Sequence, residues 1–323
     1  MNIAFIIDPI ARLDPTHDST VAMMEAAQAR GHTVWITTID ALTVKAGKAW
    51  ATLTPVALTP VTLQDGLWVA VSDWYQLGEP ELLPLEQMAA VLMRKDPPVT
   101  IPFIFVTQIL DLIDPEKTLV VNRPRSLQAA NEKLYALNFP SVIPETIVSG
   151  SKAVIKDFVA AQGRAVLKPL SGKAGEGILF LQAGDRNLNS LIEISTQWEQ
   201  LPVMVQQYLP AAVEGDKRII LLNGEPIGAV NRIPTGSDFR GNMAVGGRVA
   251  SVPLTDRDRL ICNTVAPLLQ QDGLYFVGLD VIGGYLTEVN VTSPTGIREI
   301  DRLDGVTLGQ TTIEWLEQQI PHP

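Results

Sequence analysis

Short apolar runs alternate with segments of mixed polarity along the first third of the chain. Residues 3–7 are apolar on both faces, which is typical of a central parallel strand. Asp18 or Ser19 can cap a helix that runs to Arg30, and residues 33–39 form the next predicted strand. This β-α-β order predicts an open α/β sheet that binds ligands near the carboxyl ends of its strands.

The pattern continues with shorter apolar runs up to residue 121. Residues 61–63 and 67–71 flank an Asp-Gly pair, which predicts a β-hairpin. Residues 91–93 form another apolar strand, which ends in a run of charges and prolines. We therefore predict an N-terminal domain over residues 1–121, built on an open parallel sheet.

The middle of the chain changes to a mixture of helices and returning strands. Helices are predicted over 126–137 and 151–162, and strands over 165–170 and 178–182. Together these elements predict a small α+β domain over residues 122–200.

Strands dominate the last part of the chain, which we predict to be a third domain over residues 201–323. An Asn-Gly pair joins two of its strands and is a strong hairpin signal. The glycine-rich polar segment 233–248 is typical of a lid or binding loop. The predicted elements are strands at 217–222 and 226–230, a helix at 255–271 and a strand pair over 275–291.

The composition fits this multidomain interpretation and limits the classes of binding partner that we expect. The chain has 323 residues, of which 46% are apolar and 19% charged, as expected for a globular protein. Its net charge of −10 disfavours nucleic acid and anionic membranes as partners. Cys262 is the only cysteine, the N-terminus carries no basic leader, and no apolar run reaches 18 residues. We expect a cytoplasmic protein in which Cys262 packs inside a helix.

A glycine-rich loop follows the strand that ends near Lys168. Its glycines, between Ser171 and Gly177, would let backbone N–H groups converge on phosphate oxygens. The loop does not match the Walker pattern. Taken alone, it is more simply interpreted as an ordinary hairpin turn.

Oxygen-bearing side chains on the last strand pair predict a metal site. Asp280, Glu288 and Asn290 carry the ligand atoms that Mg²⁺ prefers. A two-residue turn would pair Asp280 with Thr287 on the wrong face, whereas a three-residue loop over 283–285 pairs it with Glu288. The site therefore predicts the three-residue loop. The alternative is a solvated sheet edge with scattered acids.

Several cations lie in positions that suit a nucleotide site. Lys133 lies on the predicted helix 126–137, and Arg218 begins a strand. Arg232 and Arg240 lie beside or within the segment 233–248. ATP with Mg²⁺ needs such groups to stabilise charge during phosphoryl transfer. Taken singly, each cation is more simply interpreted as a surface charge.

Taken together, these segments resemble the ATP-grasp superfamily, and among its members the bacterial glutathione synthetases. The resemblance runs over nearly the whole chain. The motifs that carry it include Asp8-Pro9-Ile10, Met93-Arg94-Lys95-Asp96-Pro97-Pro98, Gly215-Asp216-Lys217-Arg218, Gly278-Leu279-Asp280 and Glu288-Val289-Asn290-Val291-Thr292-Ser293-Pro294. The chain departs from the family at Ser171-Gly172-Lys173-Ala174-Gly175, where family members carry Asp-Gly-Met-Gly-Gly.

The resemblance implies a role for each candidate residue. The ATP phosphates would be bound by Lys133, Lys168, Ser171, Gly172, Lys173, Gly175 and Gly177. The adenine would be framed by Gln207, Tyr208 and Leu209, and Asp216 would lie near the ribose or phosphates. Two Mg²⁺ ions, or Mn²⁺ in their place, would be held by Asp280, Glu288 and Asn290. Arg218, Arg232, Arg240 and Asn242 would act in catalysis, and Asp18, Arg94 and Ser293 would bind the acid substrate.

The resemblance also implies the reaction and the assembly. The chain would join γ-glutamylcysteine to glycine through an acyl phosphate, with ATP as the phosphoryl donor, and would form a homotetramer. An ATP-grasp ligase for another acid and amine, or a non-catalytic nucleotide-binding protein, are the alternatives. A Rossmann-type dehydrogenase has no support, because no Gly-x-Gly-x-x-Gly motif follows the first strand.

Overall fold

The computed structural model describes residues 1–172, 175–235 and 248–320. The expected site residues Lys173, Arg240 and Asn242 lie outside the described residues, as does most of the predicted loop 233–248. The described residues form the mixed α/β and α+β architecture that the sequence predicts, with an N-terminal, a central and a C-terminal sheet.

The N-terminal sheet has the strand order β10-β9-β1-β2-β4-β3, in which β10, β9, β1 and β2 run parallel. The elements of this region are β1 (Asn2–Ile6), α1 (Ser19–Ala29), β2 (Thr33–Thr37), β3 (Leu42–Lys45), β4 (Lys48–Leu58), β5 (Thr62–Gln64), β6 (Leu67–Val69), β7 (Tyr75–Leu77), β8 (Glu81–Pro84), β9 (Ala90–Met93), α2 (Ile101–Leu110) and β10 (Leu119–Val121). Strands β7 and β8 pair with β4, whereas β5 and β6 form a separate two-stranded hairpin. The predicted β-α-β start is confirmed. Asp18 caps α1, because its carboxylate accepts hydrogen bonds from the N–H groups of Thr20 and Val21 at 2.6 and 3.1 Å.

The central sheet is antiparallel, with the order β11-β14-β12-β13. The elements of this region are α3 (Pro124–Ala129), β11 (Thr146–Ser149), α4 (Lys152–Gln162), β12 (Arg164–Pro169), β13 (Leu179–Gln182), α5 (Leu188–Ser195) and β14 (Val203–Gln207). Strand β14 pairs with β11 and β12, so the central sheet includes residues beyond position 200.

The helix predicted over 126–137 is wrong, because α3 ends at Ala129. The side-chain oxygen of Asn131 accepts hydrogen bonds from the backbone N–H groups of Lys133 and Leu134, both at 3.1 Å. This turn competes with the helix, as short polar side chains commonly do. Lys133 therefore lies in a turn before the 3₁₀ helix Leu134–Asn138, and not on an α-helix.

The C-terminal sheet is antiparallel, with the order β17-β16-β15-β18-β19. Its region contains β15 (Asp216–Leu222), β16 (Glu225–Ile233), β17 (Arg248–Ser251), α6 (Asp256–Asp272), β18 (Phe276–Ile282), β19 (Tyr285–Asn290), α7 (Ile297–Asp304) and α8 (Leu308–Gln319). Cys262 is buried in α6, as predicted, and burial raises the pKa of its thiol to about 11. Every helix among the described residues is too short or too polar to span a lipid bilayer.

Asp280 pairs with Glu288 as predicted, but the predicted three-residue loop is wrong. The turn is the two-residue Gly283–Gly284, with Ile282 paired to Tyr285. A β-bulge between Asp280 and Val281 then shifts the register by one residue, and Thr287 is the additional residue. The Thr287 hydroxyl donates to the backbone oxygen of Asp280 at 3.1 Å. The bulge places Asp280 opposite Glu288, which the longer loop was expected to do.

The N-terminal and C-terminal sheets share their hydrophobic cores, whereas the central sheet has a core of its own. One cluster joins Phe5 of β1 to Phe276 of β18, while Val159 and Leu167 belong to a separate cluster in the central sheet. Hydrogen bonds of Asn122 also join the N-terminal sheet to the C-terminal sheet. Its amide donates to the backbone oxygens of Phe276 and Val291 at 2.9 and 2.8 Å, and its oxygen accepts from Phe276 N–H at 2.9 Å.

Candidate active site

A cleft of about 330 Å³ lies between the central and C-terminal sheets. Most of the predicted nucleotide and metal residues that the structure describes line this cleft. They are Lys133, Lys168, Gly172, Gly175, Gln207, Tyr208, Leu209, Asp216, Arg218, Arg232, Asp280, Glu288, Asn290 and Ser293. Ser171 and Gly177 flank the glycine loop next to it. The cleft thus brings together residues that are more than 150 positions apart in the chain.

Two arginines and two aspartates form a buried ion-pair network on the floor of the cleft. Arg218 lies directly opposite Asp280 on the neighbouring strand and contacts its carboxylate at 2.6 Å from Nε and 3.1 Å from Nη2. Arg232 lies opposite Asp216, 2.5 Å from its carboxylate, and 3.0 Å from Asp280. The antiparallel register of β15, β16 and β18 therefore assembles the network.

The network sets the charges of its members. Burial alone would raise the pKa of Asp280, but Arg218 and Arg232 outweigh it and hold that pKa well below its usual range. Burial raises the pKa of Asp216 to about 6, because Arg232 offsets the loss of solvent only in part. Asp280 is consequently a permanent anion at neutral pH, while Asp216 titrates near neutrality.

Two lysines extend the positive charge along the cleft. Lys133 Nζ lies 3.0 Å from Glu288 Oε1 and donates to the backbone oxygen of Gly172 at 2.8 Å. Lys168 Nζ lies 3.4 Å from the backbone oxygen of Thr287, in the β-bulge. Burial lowers the pKa of Lys168, an effect that nearby Glu288 opposes. Lys133 thus joins the glycine loop to β19, and Lys168 joins β12 of the central sheet to β19.

Asp280, Glu288 and Asn290 carry a donor set that fits a hard divalent cation. Asp280 and Glu288 are cross-strand partners, and Asn290 lies two residues further along the same face of β19. The Asn290 amide nitrogen donates to Gly278 at 3.2 Å, so its oxygen is the atom that can coordinate a metal. Among the described residues, no three His, Cys, Asp or Glu side chains gather as a metal site. The candidate set is two carboxylates with one amide, to which nucleotide phosphates and water would add the remaining ligands.

Glu132 is a half-buried residue of the site that sequence reasoning missed. Its Oε1 accepts hydrogen bonds from the backbone N–H groups of Val291 and Thr292, at 2.9 and 3.0 Å, and from the Thr292 hydroxyl at 2.8 Å. Burial and the nearby Glu288 raise the pKa of Glu132. The contacts fix the end of β19 against the turn that carries Lys133. A glutamate beside a lysine in a predicted helix gave no signal of this role.

The segment predicted to frame the adenine forms the end of β14 and the turn after it. Gln207 N–H donates to the backbone oxygen of Glu145 at 2.8 Å. The Tyr208 ring packs edge-on against Phe180, with 5.1 Å between centroids, and the Arg164 guanidinium lies 5.0 Å from the Tyr208 ring centre. These contacts hold an aromatic wall beside the glycine loop.

The predicted substrate residues do not all line the same surface. Ser293 lines the first cleft. Arg94 is buried, where it donates to Thr20 Oγ1 at 3.1 Å and to the backbone oxygen of Pro294 at 2.9 Å. Burial lowers the pKa of Arg94 to about 10. Asp18 caps α1 and lines a second cleft of about 710 Å³, which shares Asp96 and Thr295 with the first.

The family models of known proteins match this chain along almost its whole length. Residues 1–128 match the N-terminal domain of prokaryotic glutathione synthetase, and residues 132–305 match its ATP-grasp domain. The chain belongs to the prokaryotic glutathione synthetase family. It is therefore an ATP-dependent ligase with an ATP-grasp fold, as the resemblance implied.

Full-length relatives and solved structures agree with membership of this family. A glutathione synthetase of Thermosynechococcus vestitus is 67% identical over 316 residues, covering 98% of this chain and 99% of the relative. One from Synechocystis is 61% identical over 319 residues, covering 99% of this chain and 100% of the relative.

Among solved structures, the D-cycloserine synthetase DcsG matches with a TM-score of 0.66 at 15% identity, covering 99% of this chain and 100% of that one. The ATP-grasp ligase PsnB in complex with a minimal precursor matches with a TM-score of 0.64 at 17% identity, covering 98% of each chain. At these identities, the likeness concerns the fold.

Proposed function

We propose that the chain joins γ-glutamylcysteine to glycine by way of an acyl phosphate, with release of ADP and phosphate. The observation that carries the proposal is the composition of the first cleft. Lys133, Lys168 and Arg218 lie in one cleft with the carboxylates of Asp280 and Glu288. Cations for a triphosphate and oxygen ligands for a metal are the parts that phosphoryl transfer requires.

ATP would bind with its triphosphate along the glycine loop. Lys133 and Lys168 would contact the phosphates, since both ammonium groups face the cleft beside Gly172 and Gly175. The adenine would lie against the segment from Gln207 to Leu209. Lys133 would exchange its contact with Glu288 for a phosphate oxygen, which frees the Glu288 carboxylate.

Asp280, Glu288 and Asn290 would hold two Mg²⁺ ions, for which Mn²⁺ could substitute. Although arginines contact Asp280, each carboxylate oxygen accepts more than one partner, so the pairing is compatible with coordination. When bound, the metal would neutralise phosphate charge.

Arg218 is the residue we assign to the transferring phosphoryl group. Its guanidinium is held by Asp280 on one side and by the backbone oxygen of Thr295, at 3.1 Å, on the other. A fixed cation that stabilises charge as it develops lowers the barrier, because no reorganisation is needed during the reaction. The cysteinyl carboxylate would attack the γ-phosphorus beside Arg218, and ADP would leave.

The acyl phosphate would then react with the amine of glycine. Its carbonyl carbon accepts the amine, a proton is lost from the nitrogen, and inorganic phosphate leaves. Water must be excluded during this step, since it competes with glycine for the same carbonyl. We assign that exclusion to the segment 233–248 and include Arg232, Arg240 and Asn242 in the catalytic set. We further propose a cytoplasmic homotetramer, which light scattering of the purified protein would test.

Phosphate release with a matrix of acids and amines tests the proposed reaction. The purified protein would be assayed with γ-glutamylcysteine or γ-glutamylalanine, each combined with glycine, alanine or no amine. We expect fastest release with γ-glutamylcysteine and glycine, and formation of glutathione in equal amount. Faster release with another pair would identify a ligase of different specificity, and ATP binding without any release would indicate a non-catalytic protein.

A further inference from the structure

The turn formed by residues 131–133 is bonded to two different sheets. On one side, the backbone oxygen of Glu132 accepts a hydrogen bond from the N–H group of Val289 in β19 at 2.9 Å, and its carboxylate holds the end of that strand. On the other side, Asn131 Nδ2 donates to the backbone oxygen of Leu170 in the central sheet region at 2.9 Å. The turn therefore connects the strand of the proposed metal ligands to the central sheet.

Leu170 is the base of the glycine loop, since it follows β12 and precedes Gly172. The two limbs of this loop lie close together. A Cβ atom added at Gly172 would lie 2.8 Å from the backbone oxygen of Glu176, and one added at Gly177 would lie 2.8 Å from Cγ of Pro169. Because the limbs are packed so closely, the position of Leu170 sets the position of the loop.

The side chain of Asn131 uses both ends of its amide. Its oxygen accepts the N–H groups of Lys133 and Leu134, both at 3.1 Å, while its nitrogen bonds to Leu170. Lys133 and Lys168 also bond across the cleft, but both are assigned above to the ATP phosphates. Asn131 contacts backbone groups, which the nucleotide does not replace, so its bond to Leu170 can persist when ATP binds.

We propose that Asn131 is a positioning residue for the ATP phosphates. It holds the glycine loop at the distance from Lys133 and β19 at which all three can contact one triphosphate. The inference rests on the function proposed above, because it takes the phosphates to lie along the glycine loop. The loop has the same position before and during phosphoryl transfer, so Asn131 contributes to nucleotide binding and not to the chemical step.

Asn131→Asp removes the bond to Leu170 and keeps the turn. The carboxylate retains an acceptor for the N–H groups of Lys133 and Leu134, but it presents an oxygen to the backbone oxygen of Leu170. We expect the KM for ATP to rise about tenfold, because a half-buried carbonyl loses its partner. Under saturating ATP, kcat should change less than about threefold, and so should the KM for γ-glutamylcysteine. Phosphate release measures all three quantities.

A neutral variant and matched controls separate the lost bond from the added charge. In Asn131→Ser the hydroxyl accepts a turn N–H group, as serine does in such turns, but is too short to reach Leu170. It should also raise the KM for ATP. Asn138 Nδ2 donates to the backbone oxygen of Tyr135 at 3.0 Å, within the 3₁₀ helix. Asn138→Asp and Asn138→Ser make the same changes to a local bond and should leave the KM for ATP unchanged.

Nucleotide binding without turnover provides an independent measurement. Calorimetric titration with AMPPNP and Mg²⁺ should give a dissociation constant about tenfold higher in Asn131→Asp than in the wild-type protein. Amide hydrogen exchange at Lys133 and Leu134 should remain as in the wild-type protein, which shows that the turn is intact. If Asn131→Asp does not fold, Asn131→Ser decides the matter by the same titration.

The outcomes distinguish this role from the reaction itself. Unchanged affinity for nucleotide in both Asn131 variants would overturn the proposal, and so would an equal loss in the Asn138 variants. A fall in kcat at unchanged KM for ATP would also overturn it, because the residue would then act on the chemical step. If the wild-type protein released no phosphate from γ-glutamylcysteine and glycine, the proposed reaction would fall, while the affinity for AMPPNP would still decide the role of Asn131.

Discussion

Arg218 and Asp280 face each other on β15 and β18, and their side chains are joined by contacts of 2.6 and 3.1 Å. The carboxylate thereby fixes the guanidinium in the orientation that we assign to phosphoryl transfer. The pairing explains why an arginine can remain buried and charged without bound nucleotide.

Replacing Arg218 should affect the chemical step more than nucleotide binding. We expect Arg218→Ala to lower kcat about 100-fold, since a lost charge-stabilising contact costs on the order of 3 kcal/mol in the barrier. The KM for ATP should change less than about threefold. Arg257→Ala, which removes a contact with Gly284 in the turn between β18 and β19, is the control. Equal effects of Arg218→Ala on kcat and on ATP binding would contradict the assignment.

Glu288 offers a test of the metal site that leaves the arginine network intact. Glu288→Gln removes one proposed carboxylate ligand and should raise the Mg²⁺ concentration for half-maximal phosphate release at least about tenfold. A Mg²⁺ titration at saturating ATP measures this. Glu86→Gln, on a carboxylate paired with exposed Lys48, serves as control. An unchanged Mg²⁺ requirement would remove Glu288 from the proposed ligands.

Glu132 should be important for stability as well as for the site. Glu132→Ala leaves the N–H groups of Val291 and Thr292 without their acceptor, which should cost about 3 kcal/mol in the free energy of unfolding. Glu132→Gln retains an oxygen acceptor and should cost much less. Urea unfolding of both variants measures the difference. Equal stability of the two variants would show that these hydrogen bonds contribute little.

Asp301 provides a prediction for the dependence of stability on pH. Its carboxylate accepts the Leu308 N–H at 2.7 Å, and burial raises its pKa to about 6, above the ordinary 3.8. Between these values the folded state binds more protons than the unfolded state, so this group's contribution to stability falls as pH rises from about 4 to 6.

Asp301→Asn keeps the acceptor and removes the titration. The free energy of unfolding of wild-type protein, relative to that of Asp301→Asn, should therefore rise when the pH is lowered from 7 to 4.5. Urea unfolding at the two pH values measures the change. A constant difference would place the pKa of Asp301 near its ordinary value.

The sequence predicted which residues gather in the first cleft better than it predicted their local geometry. The pairing of Asp280 with Glu288 followed from the requirement that both line one site. A longer turn and a β-bulge shift the register equally, and the choice depends on tertiary contacts of Thr287, such as the contact of its backbone oxygen with Lys168 Nζ. Strand patterns alone carry no information about these contacts.

Two other differences have local causes. The helix over 126–137 was predicted from its composition, but the Asn131 side chain satisfies the backbone N–H groups that the helix would have used. Strand β4 was not predicted, although its inward positions Ala49, Ala51 and Leu53 are buried in alternation. Its small and β-breaking residues, among them Pro55, weaken the strand signal.

Asn122 has a consequence for how the cleft can open. Asn122 joins the N-terminal sheet to Phe276 and Val291 of the C-terminal region. The N-terminal and C-terminal sheets also share hydrophobic cores, so moving these two sheets apart would expose apolar surface. The central sheet, with its separate core, contacts the C-terminal sheet through polar bonds such as that from Lys168 Nζ to the backbone oxygen of Thr287. We expect the central sheet to rotate away and exchange nucleotide while the N-terminal and C-terminal sheets stay together.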